Sequence, residues 1–171
     1  MLVIKIIIGV TIVCITGYIG IEMSNMLKAR EEILTEYITF VTLVKNEMIY
    51  MRDTLPHAFE ISRQKLKTTL KDVIGAIVVD MEKYGVERVD VSIENNVNNL
   101  DALEEQERQI ISSTFKNLGR SDVDSQINII NNSIEIVKRQ IREAVDKKNK
   151  NSKVYKTVGI ITGLIVVVIF I

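Results

Sequence analysis

The sequence has no tryptophan, one cysteine, one proline and one histidine in 171 residues, and aromatic side chains make up only 5% of it. A lone cysteine, Cys14, excludes an intrachain disulfide and any cysteine-based metal site. It sits in an apolar run, where it reads as a small apolar residue facing lipid or a neighbouring helix. With Pro56 the only proline and Ile, Val, Leu, Lys and Glu abundant, long helices are favoured over a sandwich or barrel of short strands. The single histidine, His57, lacks a plausible nucleophile or a carboxylate pair, so no triad can be assembled and a solvated or partner-facing role is expected. A Gly-x-x-x-x-Gly-Lys phosphate loop is also missing, which argues against nucleotide hydrolysis by the chain itself. The expectation is a non-enzymatic protein with no catalytic residues, no metal and no cofactor.

Charge of one sign is lacking overall: 22 basic and 22 acidic residues give a net charge of zero. The distribution is uneven. Lys147, Lys148, Lys150, Lys153 and Lys156 form a basic collar near the C-terminus, while acidic residues such as Glu104, Glu105 and Glu107 sit in the middle. A uniformly basic nucleic-acid binder is excluded, and no nucleic-acid partner is expected.

What the sequence does have is an apolar run at each end. From Val154 to Ile171 only Lys156 carries charge, which meets the lower limit of roughly 17 residues for a helix crossing a bilayer. Leu2 to Ile21 is apolar apart from Lys5. It reads as a retained anchor; a cleaved signal peptide is the alternative, but Tyr18-Ile19-Gly20-Ile21 offers no clean small-x-small site. The expected organisation is an N-terminal transmembrane anchor over 1–24, a cytoplasmic helical bundle over 25–150, and the basic collar with a C-terminal transmembrane helix over 151–171. Lys28 and Arg30 after the first run and the collar before the last place the middle of the chain in the cytoplasm by the positive-inside rule. The collar lysines also reach anionic headgroups, which makes membrane lipids an expected partner.

Between the anchors the periodicity is helical throughout. Leu34, Tyr37, Ile38, Val41, Val44, Met48 and Met51 recur at three- and four-residue steps, and Thr54-Leu55-Pro56 ends that helix. A short second helix begins at the proline and carries Ala58, Phe59 and Ile61. A third runs from about Gln64 to Tyr84 on Leu66, Leu70, Val73, Ile74, Ile77, Val78 and Met81, with Gly85 as a left-handed cap. The stretch 86–94 fits a strand or a helix; with no second strand to pair with, helix is expected. Asn95-Asn96-Val97-Asn98-Asn99 reads as a loop or frayed end, Asp101 as the cap of a fifth helix through Leu118, and Ser121 as the cap of the sixth. Val123, Ile127, Ile130, Ile134, Val137, Ile141 and Ala144 form a heptad-like seam on that last helix. The fold class expected is all-α, an antiparallel bundle of about six helices flanked by two transmembrane helices.

Glu104, Glu105 and Glu107 span too short an arc to oppose two carboxylates, so a solvated helix face is favoured over a metal site. Two other stretches are more particular. Glu47 to Phe59 is a helix, a proline turn and a new helix. Leu118-Gly119-Arg120-Ser121-Asp122-Val123-Asp124-Ser125-Gln126 is a glycine stop with a capped helix start, Asp122 falling where the helix dipole favours negative charge. Capping does not need Gln126; a structural hydrogen bond and a partner contact both remain open for it.

These residues carry a resemblance. Glu47-Met48-Ile49-Tyr50, Leu55-Pro56-x-Ala58, Leu118-Gly119-x-Ser121-Asp122-x-x-x-Gln126 and Lys153-Val154-Tyr155-Lys156-Thr157-Val158-Gly159, in this order and spacing, resemble the stage III sporulation protein AB family of endospore-forming Firmicutes. The pattern departs at the fourth helix, where family members usually carry an alanine-tryptophan pair and this chain has Val89-Asp90-Val91. The resemblance implies a two-pass subunit in the mother-cell membrane facing the forespore, part of a channel complex. Its cytoplasmic domain would look like that of type II secretion and type IV pilus platform proteins. The implied partners are a secretion-type ATPase and other stage III membrane subunits; Glu47, Tyr50, Leu55, Pro56, Leu118, Gly119, Asp122 and Gln126 are the candidate partner-contact or supporting residues, with Tyr50, Pro56, Asp122 and Gln126 expected to shape that surface or its supports. A reading of another class is a homo-oligomer: a sensor or tether that self-associates as a coiled coil through the Val123 to Ala144 seam.

Overall fold

A computed structural model describes the backbone of residues 2–51 and 54–170 and the side chains of residues 11, 14–51, 54–86, 88–151, 154, 157 and 161. The described residues form six α-helices and no strand: α1 (Leu2–Asn46), α2 (Leu55–Arg63), α3 (Leu70–Tyr84), α4 (Asp90–Asn98), α5 (Glu105–Asn117) and α6 (Val123–Phe170). A π-helical turn, Glu47–Met51, follows α1, and a 3-10 turn, Val86–Arg88, precedes α4. The chain divides into two units, one formed by Met1–Ala29 with Glu143–Ile171 and the other by Arg30–Arg142.

In the terminal unit Gly20, Ser24 and Ala144 are buried, whereas Cys14, Ile15, Tyr18, Ile19 and Ile21 are exposed. Among the described residues no helix is long and apolar enough to cross a membrane. The side chains of much of the two expected anchors, and those of Lys153 and Lys156 of the collar, lie outside the described residues. Lys147 and Lys150 are exposed on α6, and Lys148 is half-buried.

The central unit is built on an aromatic cluster. Phe40 meets Phe59 edge-on at 5.0 Å between ring centroids and Phe115 at 5.7 Å, while Phe59 and Phe115 lie 5.4 Å apart. Tyr37 lies 6.0 Å from Phe115, so one α5 ring receives contacts from both α1 and α2. All four rings are within 1% of complete burial. The Tyr37 hydroxyl donates to Ser133 Oγ at 3.0 Å, and Ser133 Oγ donates onward to the Ile130 carbonyl at 2.8 Å. Burial pushes the phenol up to about 12, so it stays a hydrogen-bond donor at physiological pH.

These contacts fix helix directions. Arg30 of α1 meets Glu107 and Tyr37 meets Phe115, so α5 runs parallel to α1. The α6 helix starts after α5 ends and runs back past Tyr37 at Ser133, antiparallel to both. Ile130, Ile134 and Val137, the middle of the heptad-like seam, are thereby buried inside the chain's own core, whereas Val123 is 46% exposed. The middle of the seam packs within the chain, while Ile127 and Ile141 are half-buried.

Several sequence boundaries move, each for a tertiary reason. Residues 64–69 are not helical, because the Glu36 carboxylate of α1 accepts the backbone N–H groups of Lys67 and Thr68 and the Thr68 hydroxyl at 2.8–3.1 Å. The third helix accordingly starts at Leu70. Gly85 ends it with a positive φ of 82° but with ψ at 153°, extended rather than left-handed helical. The Asn-rich stretch 95–98 is helix, not loop, because Val89, Ile93, Val97 and Leu100 recur on one buried face and Asn96 donates back to the Ser92 carbonyl. The cap of α5 is Glu104 rather than Asp101: Glu104 and Glu107 form a reciprocal capping box, in which Glu107 Oε2 accepts the Glu104 N–H at 2.8 Å.

The expectation of a solvated acidic face on α5 fails at Glu107, which is fully buried. Its carboxylate accepts Arg30 Nε at 3.0 Å and Arg30 Nη2 at 2.8 Å, while Arg30 Nη1 reaches Glu104 at 2.7 Å. Glu104 and Glu105 are 47% and 65% exposed, so the solvated reading holds for those two alone.

Candidate functional site

Directions alone bring the two distinctive stretches to one end of the central unit. Tyr50 lies 13 residues beyond Tyr37 on the α1 path, and Asp122 lies 11 residues before Ser133 on the antiparallel α6, displacements of about 20 and 16 Å at the helical rise. Direct packing joins them. A methyl group on Gly119 would stand 3.1 Å from Leu55 Cδ2 and 2.6 Å from Val86 Cγ1, so the α5–α6 turn sits on the first residue of α2 and on the 3-10 turn before α4.

Local chemistry explains each piece. Thr54, with ψ at 148°, leaves the helical region and Pro56 occupies the first turn of α2, where its missing N–H has no partner to lose. Leu55 is buried beneath it and Pro56 is half-buried. Gly119 has φ at 81°, a left-handed value that permits the chain to reverse between helices. Gln126, 7% exposed, clips that reversal: its Oε1 accepts the Gly119 N–H at 2.8 Å and its Nε2 donates to the Ser121 carbonyl at 2.7 Å. The structural hydrogen bond, one of the two roles open for Gln126, is therefore present. Asp122, not Ser121, caps α6; its carboxylate accepts the Ser125 N–H at 3.0 Å and the Ser125 hydroxyl at 2.7 Å.

Gly119→Ala combines a strained backbone with a collision against two side chains. It is expected to lower stability by about 1–3 kcal/mol, read as a drop in melting temperature. An unchanged melting temperature would mean that Val86 and Leu55 yield freely. Asp122 offers a pH test. Its hydrogen bonds from Ser125 hold its carboxyl below the ordinary carboxylate range. A lowered folded pKa contributes stability above the unfolded value of about 3.9, which is lost as pH falls through the folded value. Asp122→Asn keeps a capping oxygen but cannot titrate, so it should flatten that part of the acid limb while leaving neutral stability nearly unchanged. An acid limb identical to that of the parent chain would refute the assignment.

The eight residues singled out in the sequence thus divide by burial. Leu55, Leu118 and Gln126 are buried and form the underpinning, Glu47 and Pro56 are half-buried, and Tyr50, Gly119 and Asp122 are exposed. Tyr50 stands out at 78% exposed and has apolar neighbours in Met51 at 70% and Ile49 at 38%. The helical spacing predicts Met51 on the buried stripe of α1, and the structure exposes it. The π-turn explains the difference: i to i+5 bonding admits an extra residue, so the stripe that buries Val44 and Met48 turns outward after them. Sequence reasoning missed this exposed trio, since a π-turn leaves no signature in hydrophobic spacing. Among the described residues no group of three or more His, Cys, Asp or Glu side chains could hold a metal ion.

A model of the family described as stage III sporulation protein AB matches residues 5–171. Neither a curated protein nor a solved structure matches the chain.

Proposed function

Because the chain belongs to the stage III sporulation protein AB family, we propose that it is a non-enzymatic platform subunit of a channel complex between mother cell and forespore, docking a secretion-type ATPase and sibling membrane subunits. Its anchors are residues 1–24 and 151–171, in the mother-cell membrane, and its helical domain faces the cytoplasm. The observation that carries the docking role is the convergence at one end of the central unit. There an exposed tyrosine and two exposed apolar side chains stand on a π-turn beside the clipped 118–126 reversal.

This end is suited to a partner for physical reasons. Tyrosine brings a large contact area at low conformational cost and is enriched among the residues that dominate binding energy. Its support is rigid, since Gln126 and Gly119 lock the neighbouring turn. The chain enters the unit at Arg30 and leaves it at Arg142; the parallel and antiparallel helix directions put Tyr50 and Asp122 at the opposite end, clear of both.

The test separates contact from support. In the full chain, Tyr50→Ala is expected to weaken co-purification with the complex's ATPase by about 2 kcal/mol, roughly thirtyfold, with the melting temperature unchanged because the side chain is exposed. Full ATPase retention by the Tyr50→Ala chain would defeat the reading.

A further inference from the structure

In the terminal unit one carboxylate stands apart. From Ile6 to Leu27 the α1 sequence holds a single charge, Glu22, with Lys5 and Lys28 bounding the run. Glu22 is exposed, and so are Ile15, Tyr18, Ile19 and Met26, at 55, 67, 52 and 45%. At seven, four and three positions before it and four after, these side chains surround the carboxylate on one helix face. Gly20 and Ser24, two positions to either side, lie on the opposite face and are buried. The glutamate therefore points away from the packing of its own unit. Among the described residues it has no hydrogen-bond or ion-pair partner, and no basic residue stands three or four positions from it. Asn25, three positions on and also exposed, adds a neutral acceptor beside it.

We propose that, with residues 1–24 as the membrane anchor proposed above, this face receives a membrane helix of a sibling subunit, one that presents an arginine or lysine among apolar side chains. The stretch from Ile6 to Leu27 extends about 32 Å, near the thickness of the hydrocarbon core, so Lys5 and Lys28 reach headgroups at its two ends. Glu22 then sits about 9 Å short of Lys28 along the helix, on a side turned to lipid. A lone carboxylate facing lipid is costly; a cation brought against it offsets that cost, and the apolar side chains around it exclude water from the pair. Charge selects the occupant. A second copy packing this face on its own would bring its Glu22 to the same depth, so like charges would meet. Anionic headgroups repel the carboxylate as well. An arginine suits the site best, since its fork can serve the Glu22 carboxylate and the Asn25 carbonyl at once. None of Tyr50, Gly119, Asp122 or Gln126 takes part, so the contact stands independently of ATPase docking.

Co-expression of the full chain in membranes with the sibling stage III membrane subunits tests it. Glu22→Gln keeps the shape of the side chain without its charge and should cut co-purification of one sibling about tenfold or more, whereas Glu32→Gln, an exposed position of α1 in the central unit, should leave it unchanged. Glu22→Lys should abolish the association, and replacing one membrane-segment arginine or lysine of that sibling with glutamate should restore it. Full co-purification by the Glu22→Gln chain, or failure of every such exchange to restore the Glu22→Lys chain, would overturn the contact. So would a bis-maleimide adduct of twice the chain mass at Met26→Cys with Cys14 replaced by serine, since a second copy would then hold the face. Alkaline carbonate extraction separates this failure from that of the anchor. A parent chain that stays in the membrane pellet while the Glu22→Gln chain keeps its sibling refutes the contact alone; a parent chain released by carbonate refutes the anchor and the contact with it.

Discussion

Replacing Arg30 with alanine is expected to lower the stability of the chain by about 3–5 kcal/mol, the range for breaking one side of a buried ion pair. Arg30 is 3% exposed and Glu107 is fully buried, so neither can recover its hydration when the other is removed. Truncating Arg30 strands the Glu107 carboxylate with only the Glu104 backbone N–H, and it also takes a donor from Glu104. The capping box of α5 depends on the same two glutamates, so the loss should spread to the first turn of that helix. Arg30→Lys should fail to rescue, because the guanidinium donates through Nε and Nη2 to one carboxylate and through Nη1 to another, a fork that an ammonium cannot reproduce. The double change Arg30→Met with Glu107→Leu should recover most of the loss, since well-packed apolar groups often replace a buried pair at no cost. Thermal melting of the four chains decides it. A loss below about 1 kcal/mol for the single alanine would show that water reaches Glu107.

Phe115→Ala should cost a similar amount, about 3–5 kcal/mol, through lost burial and the cavity left behind. Phe115 is 1% exposed and touches Phe40 and Tyr37 of α1 and Phe59 of α2 at once. Three aromatic contacts of about 0.5–1.5 kcal/mol each add to the area term. Phe115→Leu keeps most of the volume and should lose distinctly less. Equal losses for leucine and alanine would indicate that ring geometry, not volume, holds the cluster.

The residues behind these two predictions were not equally visible in the sequence. Phe115 and Tyr37 follow from helical spacing, as do Leu34, Val41, Val44, Ile74, Ile77 and Met81, all of them buried. Arg30 and Glu107 do not. They are 77 positions apart, and a glutamate among other glutamates carries no local mark of burial. The same distinction explains the shifted boundaries. Asn95 to Asn98 have loop-forming composition, yet the spacing of Ile93, Val97 and Leu100 outweighs it once α4 packs. Residues 64–69 have helical spacing, yet a carboxylate from another helix takes their amides. At the candidate site, Pro56 and Gly119 were legible from turn chemistry, and a capped start of α6 was legible too, although the cap falls on Asp122 and not on Ser121. That Leu55 and Gly119 would touch, and that Tyr50 would stand outward beside Met51, depended on the fold.

The Glu36 bridge to the connection between α2 and α3 bears on how the molecule opens. A surface connection of this length is ordinarily where a protease nicks first and where amide protons exchange within seconds. Here the Lys67 and Thr68 amides are tied to α1, so their exchange requires α1 and the connection to separate. Deuterium uptake at these two amides should therefore be slow in the parent chain and rise in Glu36→Ala, and limited digestion should leave α2 and α3 joined.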